Sequence, residues 1–245
     1  MGQNWSNDNC YVTTRYNKKF TVILDLDLTL IGNITPLANQ NYILNTFFNK
    51  SITTDEIYIA LKSGLLRPYV KEFIHELLKH NVNIVIYTMS TEEWAKKVIS
   101  ALYRVIGMNF VTLLLTRQNC TNTGKKSITY AIEQLQQKGH SALMENTIMI
   151  DDTHNIIDAT VYNTIYVSKY IFTPKHFLLK YTSSKSILQN KELYNKCLEL
   201  ELINQNNLEQ ILTIQTKDIN NNSLYDDVFL KLIKKACESK ADLIK

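Results

Sequence analysis

An α/β fold with a parallel sheet flanked by helices follows from three observations. Short apolar runs rich in β-branched residues alternate with longer segments of helical period. Those helical segments carry start and stop signals at their ends, and each is long enough to serve as a crossover between parallel strands rather than a hairpin. Strands separated by helices imply right-handed crossovers and a parallel sheet.

The first run, Phe20 to Leu24 (FTVIL), reads as strand 1, and Val82 to Tyr87, Phe110 to Leu115, Thr147 to Ile150 and Thr164 to Val167 read alike. Between strands 1 and 2, Pro68 to His80 opens with Pro at an expected first helical position and aligns Val70, Phe73, Ile74, Leu77 and Leu78 on one face. Thr91-Glu92-Glu93 begins a second helix, which turns Trp94, Val98, Ile99, Leu102 and Ile106 inward and stops at Gly107. Ser127 to Lys138 supplies a third before Gly139. Residues 31–66 form an insertion after strand 1, where Tyr42 to Phe48 and Glu56 to Leu61 fit strand and helix equally. Beyond Pro174 the pattern turns helical, over Ser186 to Ile214 and Ser223 to Ile244, with Asp218-Ile219-Asn220-Asn221-Asn222 between. The expected organisation is a polar tail at 1–15, an α/β domain at 16–180 and a helical C-terminal extension at 181–245.

Composition bounds the function. With 245 residues, 45% hydrophobic residues and a net charge of +4, the chain can bury a core and is not of disordered type. No uninterrupted apolar run reaches the roughly 18 to 20 residues needed to span a bilayer. The chain has only 6 Gly and 3 Pro, against ordinary usage of about 7% and 5%. Glycine-rich phosphate loops are therefore not expected. The 25 Asn and 27 Ile suggest an AT-rich genome, as in a large DNA virus or some protists, and Asn can take over left-handed turn positions. Cys10, Cys120, Cys197 and Cys237 form no CxxC pair, which fits a reducing intracellular compartment, cytoplasm or nucleus, rather than secretion. Lys and Arg are scattered rather than striped, so no direct nucleic-acid contact is expected. Met1 to Ser6 fits the pattern for myristoylation of Gly2, a single chain that would anchor weakly.

The chemistry collects at strand ends. Asp25-Leu26-Asp27-Leu28-Thr29 follows strand 1, and carboxylates two apart on an extended chain point to one side. In an α/β sheet the carboxyl ends of the strands are where ligands bind. Strand 2 ends in Tyr87-Thr88-Met89-Ser90, a hydroxyl and a turn of backbone N–H groups before a helix, suited to phosphate although such a Thr also serves as an ordinary cap. Lys125 and Lys126 stand at the start of the third helix, where the dipole disfavours a cation. Strand 4 ends in Asp151-Asp152. Together these groups suit phosphoryl transfer through an aspartate. Asp25 would attack phosphorus, while magnesium held by Asp25, the Asp27 carbonyl, Asp151 and Asp152 would reduce repulsion. Thr88 and Lys126 would orient the phosphoryl group, and Asp27 would act as acid and then base.

These motifs resemble the haloacid dehalogenase (HAD) superfamily and, within it, the FCP/SCP group of NLI-interacting-factor phosphatases, which dephosphorylate the C-terminal domain of RNA polymerase II. The matching residues are DLDLTL from Asp25 to Leu30, Arg67-Pro68 with Glu72-Phe73, IVIYTMS from Ile84 to Ser90, Arg117 with Cys120 and Lys126, and IMIDD from Ile148 to Asp152. Asn163-Thr164-Ile165 and the segment Ser223 to Leu232 extend the likeness. The resemblance implies a HAD-like Rossmannoid sheet, magnesium, a phosphoaspartate at Asp25, Asp27 as acid/base, and Thr29, Thr88, Arg117 and Lys126 on the phosphate side. Asp152 is then the direct metal ligand with Asp151 its partner, and the substrate a phosphorylated protein or peptide such as the polymerase C-terminal domain. The chain departs from the group's pattern in having Leu28 for Glu and Tyr69 for Gly, and in a Cys120 to Lys126 stretch short enough that Lys125 is an alternative lysine. Its insertion does not resemble the small sheet with which the group receives proline-containing peptides.

Rival readings weigh less. A cysteine phosphatase needs Cys-x5-Arg, whereas Cys120 is followed six residues on by Lys126, which lacks the arginine fork. A nucleotide P-loop fails because Asn119 stands at the first glycine position and Lys126 at the Ser/Thr position. A small-molecule or nucleotide phosphatase of the same fold, and a non-catalytic scaffold using it, remain the alternatives.

Overall fold

The structure, a computed structural model, describes residues 20–172, 184–203 and 226–234. Five parallel strands, β1 (Thr21–Leu24), β2 (Asn83–Tyr87), β3 (Leu113–Leu115), β4 (Thr147–Asp151) and β5 (Thr164–Tyr166), form one sheet in the order β3-β2-β1-β4-β5. This is the α/β architecture expected, a parallel sheet flanked by helices. β1 and β4 are in register from Thr21 opposite Thr147 to Leu24 opposite Ile150, which brings their carboxyl ends side by side. The order runs outward from β1 to β3 and then reverses to β4, so a crevice opens at the ends of β1 and β4.

Alternation along the strands divides the core between two faces. Ile23, Val85, Tyr87, Leu113, Leu115 and Met149 point to one side, where helix α5 (Ile128–Gln137) covers them with Ile128, Ala131, Ile132 and Leu135. Leu24, Ile84, Ile86 and Ile150 point to the other, against α3 (Val70–Lys79) and α4 (Glu92–Ile106). α4 follows Thr91 and ends at Gly107 in the left-handed conformation (φ 93°), as the signals imply.

The insertion is helical. α1 (Thr35–Phe48) and α2 (Thr54–Ala60) bury Leu37, Ile43, Leu44, Ile57 and Ala60 in the same apolar core as α4. Thr53 accepts a hydrogen bond from Glu56 N at 3.2 Å, and the Glu56 carboxylate accepts from Thr53 N at 2.9 Å, a reciprocal cap that fixes the start of α2. Farther along, α6 (Ser184–Gln189) and α7 (Lys191–Glu199) replace the single helix expected from Ser186, because Asn190 leaves the helix and caps Leu193 N at 3.1 Å. Ile187, Leu193 and Cys197 join the core beside Leu37 and Leu44, as does Phe229 in the short helix α8 (228–234). The remainder of the expected C-terminal helices, the start of the Ser223 segment, and the tail with Gly2 lie outside the described residues. Among the described residues no helix is long and apolar enough to cross a membrane.

Two other expectations need correction. α3 begins at Val70, not Pro68, because Tyr69 adopts a left-handed conformation (φ 64°) that breaks the helical path. β3 covers only Leu113–Leu115, because at Thr112 the hydroxyl takes over part of the ladder, accepting from Ile84 N at 3.1 Å, while Phe110 turns to pack edge-on against Tyr103.

Gly32 stands at the neck of the insertion, where its N–H donates to Leu65 O at 2.8 Å. A Cβ there would lie 2.5 Å from the Phe172 carbonyl oxygen and 2.7 Å from its Cβ, closer than packed atoms approach. Gly32→Ala is expected to lower unfolding free energy by about 1–3 kcal/mol, measured by urea denaturation. An unchanged midpoint would show that the segment at Phe172 yields.

Candidate active site

Every strand-end acid named above reaches the crevice. Asp25 follows β1 directly and donates its N–H to Ile150 O at 3.0 Å, so β4 fixes its height. Asp151 closes β4 and is fully buried. Between them lies Lys126, 3% exposed, whose Nζ donates to Asp25 Oδ1 at 2.5 Å and to Asp151 Oδ2 at 2.7 Å. The backbone on either side of the lysine is pinned: Lys126 N donates to Asn155 O at 2.9 Å and Lys126 O accepts from Ile157 N at 3.0 Å. Asp158 then receives Ile128 N, Thr129 N and the Ser127 hydroxyl, holding the start of α5 against the loop after β4. The neighbouring Lys125 is exposed, which leaves Lys126 as the lysine of the site.

The two carboxylates of β1 have different surroundings. Burial pushes the Asp25 carboxyl up, against the lowering pull of Lys126, while the same carboxylates hold the Lys126 ammonium above its ordinary value despite its own burial. For Asp27, burial again dominates and raises its pKa to about 6, with the Ser90 hydroxyl acting the other way. Ser90 Oγ donates to Asp27 Oδ2 at 3.1 Å, and Asp27 Oδ1 is buried with no hydrogen-bond partner.

On the opposite wall, the Thr29 hydroxyl donates to Asp152 Oδ1 at 3.2 Å and accepts Asp152 N at 3.0 Å. Asp152 Oδ2 is left buried and unpartnered. Asp151 is spent differently: its Oδ1 accepts both Thr153 N and Thr153 Oγ1 at 2.8 Å, and its Oδ2 takes Lys126. Among the described residues, Asp25, Asp151 and Asp152 each offer a carboxylate oxygen, and these oxygens lie within 4.8 Å of one another. A cluster of hard oxygen donors with an orphaned carboxylate oxygen fits a divalent cation.

Thr88 is buried at the end of β2, with its Oγ1 accepting Ser90 N at 3.1 Å. Arg117 is exposed on the rim and bonds to the turn rather than to the acids, through Nε to Met89 O at 2.7 Å and N to Ser90 O at 3.0 Å. Sequence reasoning did not assign roles to Ser90, Thr153 or Asp158. Ser90 lay within the Ile84 to Ser90 motif, yet its contact spans 63 residues and no local pattern shows it.

The crevice lies within a stretch that matches a known family. Residues 20–217 match the model of the NLI interacting factor-like phosphatases, a stretch that includes Asp25, Asp27, Thr88, Lys126, Asp151 and Asp152. The chain belongs to this family. A curated relative, CTD small phosphatase-like protein 3 of Caenorhabditis elegans, is 32% identical over 92 residues, which are 37% of this chain and 29% of that protein, so only a minor part of the relative's length is matched. Among solved structures, Fcp1, described as an essential RNA polymerase II CTD phosphatase, aligns over 77% of this chain and 50% of its own with 21% identity and a TM-score of 0.42. A fission yeast Fcp1 variant bound to beryllium fluoride aligns over 94% of this chain and 67% of its own with 18% identity and a TM-score of 0.44.

The environment of Asp27 sets a pH dependence for this family member. A carboxyl whose pKa is raised on folding favours the fold below the ordinary carboxylate range, and that contribution is lost as pH rises toward about 6. In EDTA, Asp27→Asn is therefore expected to melt above the wild type at pH 7.5, with the gap closing as pH falls to about 4.5. A gap independent of pH, followed by differential scanning calorimetry, would contradict the assigned burial of charge.

Proposed function

We propose that the chain is a magnesium-dependent phosphatase that forms a phosphoaspartate at Asp25 and acts on phosphoserine or phosphothreonine in protein segments. The observation that carries this reading is the unequal pair that follows β1. Asp25 is paired with a buried ammonium, while Asp27 accepts only the Ser90 hydroxyl on one oxygen and keeps the other free, burial raising both carboxyls. Two carboxyls whose environments differ in this way divide into nucleophile and acid/base.

Magnesium, when bound, would neutralise the phosphate oxygens and screen them from Asp25, with Asp25, Asp152, Asp151 and the Asp27 carbonyl as its holders. Lys126 keeps Asp25 and Asp151 in place and has a third N–H to present to the phosphoryl group. Thr88, which spends one oxygen lone pair on Ser90 N, retains its own O–H to donate to a phosphate oxygen. Asp27, oriented by Ser90, delivers a proton to the departing alkoxide as the Asp25 oxygen–phosphorus bond forms and the ester bond breaks. It then takes a proton from the water that hydrolyses the acyl phosphate. The exposed Arg117 and Met89 stand at the entrance, where a phosphorylated chain would approach. The family match and the name of the curated relative support a polymerase C-terminal-domain type of substrate. The insertion of this chain is helical and spends most of its apolar residues on the core, so a peptide would meet this rim rather than a small accessory sheet.

Purified full chain with magnesium is expected to hydrolyse p-nitrophenyl phosphate, and Asp25→Asn to reduce kcat by more than about 10³-fold. Undiminished turnover by that variant, or none by the wild type, ends the enzyme reading. Preference for sugar or nucleotide phosphates over doubly phosphorylated heptad-repeat peptides would remove the protein-substrate reading while leaving the chemistry. For Asp27→Asn, kcat/KM should fall about 10²- to 10⁴-fold on a phosphoserine peptide and much less on p-nitrophenyl phosphate, whose leaving group departs without a proton. Equal losses on both substrates would deny Asp27 the role of acid.

A further inference from the structure

We propose that Arg67 and Asp226 are positioning residues for Asp152, so that the segment 226–234 completes the metal-facing wall of the site. The proposal rests on the reading of Asp152 as a metal ligand given above. The Arg67 side chain is entirely buried, and Asp226 is its charge partner: Nε donates to Asp226 Oδ1 at 3.1 Å and Nη2 lies 3.0 Å from Asp226 Oδ2. This is the two-pronged arrangement that fixes a guanidinium in plane. The rings of Tyr170 and Phe229 each lie 5.6 Å from its Cζ and pack against the guanidinium. So oriented, Nη1 donates to Thr29 O at 3.2 Å and Nη2 to Ser168 Oγ at 3.2 Å.

Thr29 is the residue through which the arginine acts. Its carbonyl is held by Arg67, and its hydroxyl takes Asp152 Oδ1 and Asp152 N, which turns Asp152 Oδ2 toward the crevice without a partner. The chain of contacts thus runs from Asp226 through Arg67 and Thr29 to Asp152. Its far end lies beyond residues 20–217, which match the family model, in the Ser223 to Leu232 segment that resembles the group's C-terminal helix. Phe229 packs on Phe73 of α3 with ring centroids 4.9 Å apart and anchors the segment where Asp226 is needed. Removing the Asp226 charge leaves a buried guanidinium without its counter-ion, free to shift and release the Thr29 carbonyl.

The test uses the full chain and Mn2+ as the probe. Mn2+ binding is titrated by electron paramagnetic resonance at 10 °C for wild type, Asp226→Asn and the apolar double variant Arg67→Met/Asp226→Leu, with far-UV circular dichroism to verify folding. Supporting loss of alignment at Asp152 typically weakens a metal site about 10- to 100-fold. A Kd at least about tenfold weaker is expected in both variants. In the double variant the buried charges are gone, so weakened binding there reflects the lost hold on Thr29 rather than an uncompensated charge. Excess magnesium should recover most of kcat on p-nitrophenyl phosphate in Asp226→Asn, a split that unfolding does not produce. If Asp226→Asn does not fold, the double variant decides. Mn2+ affinity within twofold of wild type in the folded variants overturns the positioning roles while leaving the proposed function intact. A wild type that binds no Mn2+ and hydrolyses nothing overturns both.

Discussion

The ammonium of Lys126 between the carboxylates of Asp25 and Asp151 is the interaction on which the rest of the site depends. Three acids, Asp25, Asp151 and Asp152, converge at the ends of two adjacent strands, with Asp27 close behind, and Asp25 and Asp151 are almost wholly withdrawn from water. Such a cluster is unstable alone, because each charge loses hydration and gains a like-charged neighbour. One lysine offsets part of the excess and leaves a net negative surplus. That surplus suits a divalent cation, whose charge would in turn offset that of an incoming phosphate. The fold therefore tolerates a charge arrangement whose natural completion is a ligand.

The topology explains how the lysine gets there. β1 and β4 are neighbours because the strand order reverses after β3, and the crossover that achieves the reversal carries α5 across the opposite face from α3 and α4. The approach to α5 must pass over the carboxyl ends of β1 and β4, and Lys126 stands on that approach. Pairing of Lys126 with the Asn155 to Ile157 loop keeps it from drifting outward, and Asp158 caps the helix that follows. An N-terminal lysine that opposes the helix dipole is thus compensated by the carboxylates it reaches and by the acid that caps the helix behind it.

Much of this was legible in the sequence because the strands announce themselves and the polar residues follow them at once. In a parallel sheet the strands are apolar throughout, so FTVIL followed by Asp25 or TIMI followed by Asp151 marks a strand and its functional end together. Other features are local in no sense. The salt bridge from Arg67 spans 159 residues to Asp226, and the conformations of Tyr42 to Phe48 and Glu56 to Leu61 were ambiguous because each is too short for its period to decide. The reading of Pro68 as a helix start failed for a physical reason as well. Arg67 has to reach inward to Thr29, and Tyr69 turns the chain before α3 can begin.

Scarcity of glycine shaped how that loop is made. Asn49 (φ 49°) and Asn81 (φ 52°) take left-handed positions next to helix ends, as a chain rich in Asn can arrange, but Leu28 (φ 62°) does so between Asp27 and Thr29, where no asparagine stands. A leucine in that conformation costs on the order of 1–2 kcal/mol, and it persists because its surroundings over-determine it. Leu28 O accepts Tyr170 N at 2.8 Å, Leu30 N and Ile31 N both return to Leu26 O, and Arg67 holds the carbonyl of Thr29. The turn has the consequence the chemistry requires. It swings the chain back on itself after Asp27, so that Thr29 bonds Asp152 on one wall of the crevice while Asp25 stays with Lys126. The strain at Leu28 and the buried arginine are two parts of one device: the first bends the loop, and the second keeps the bend.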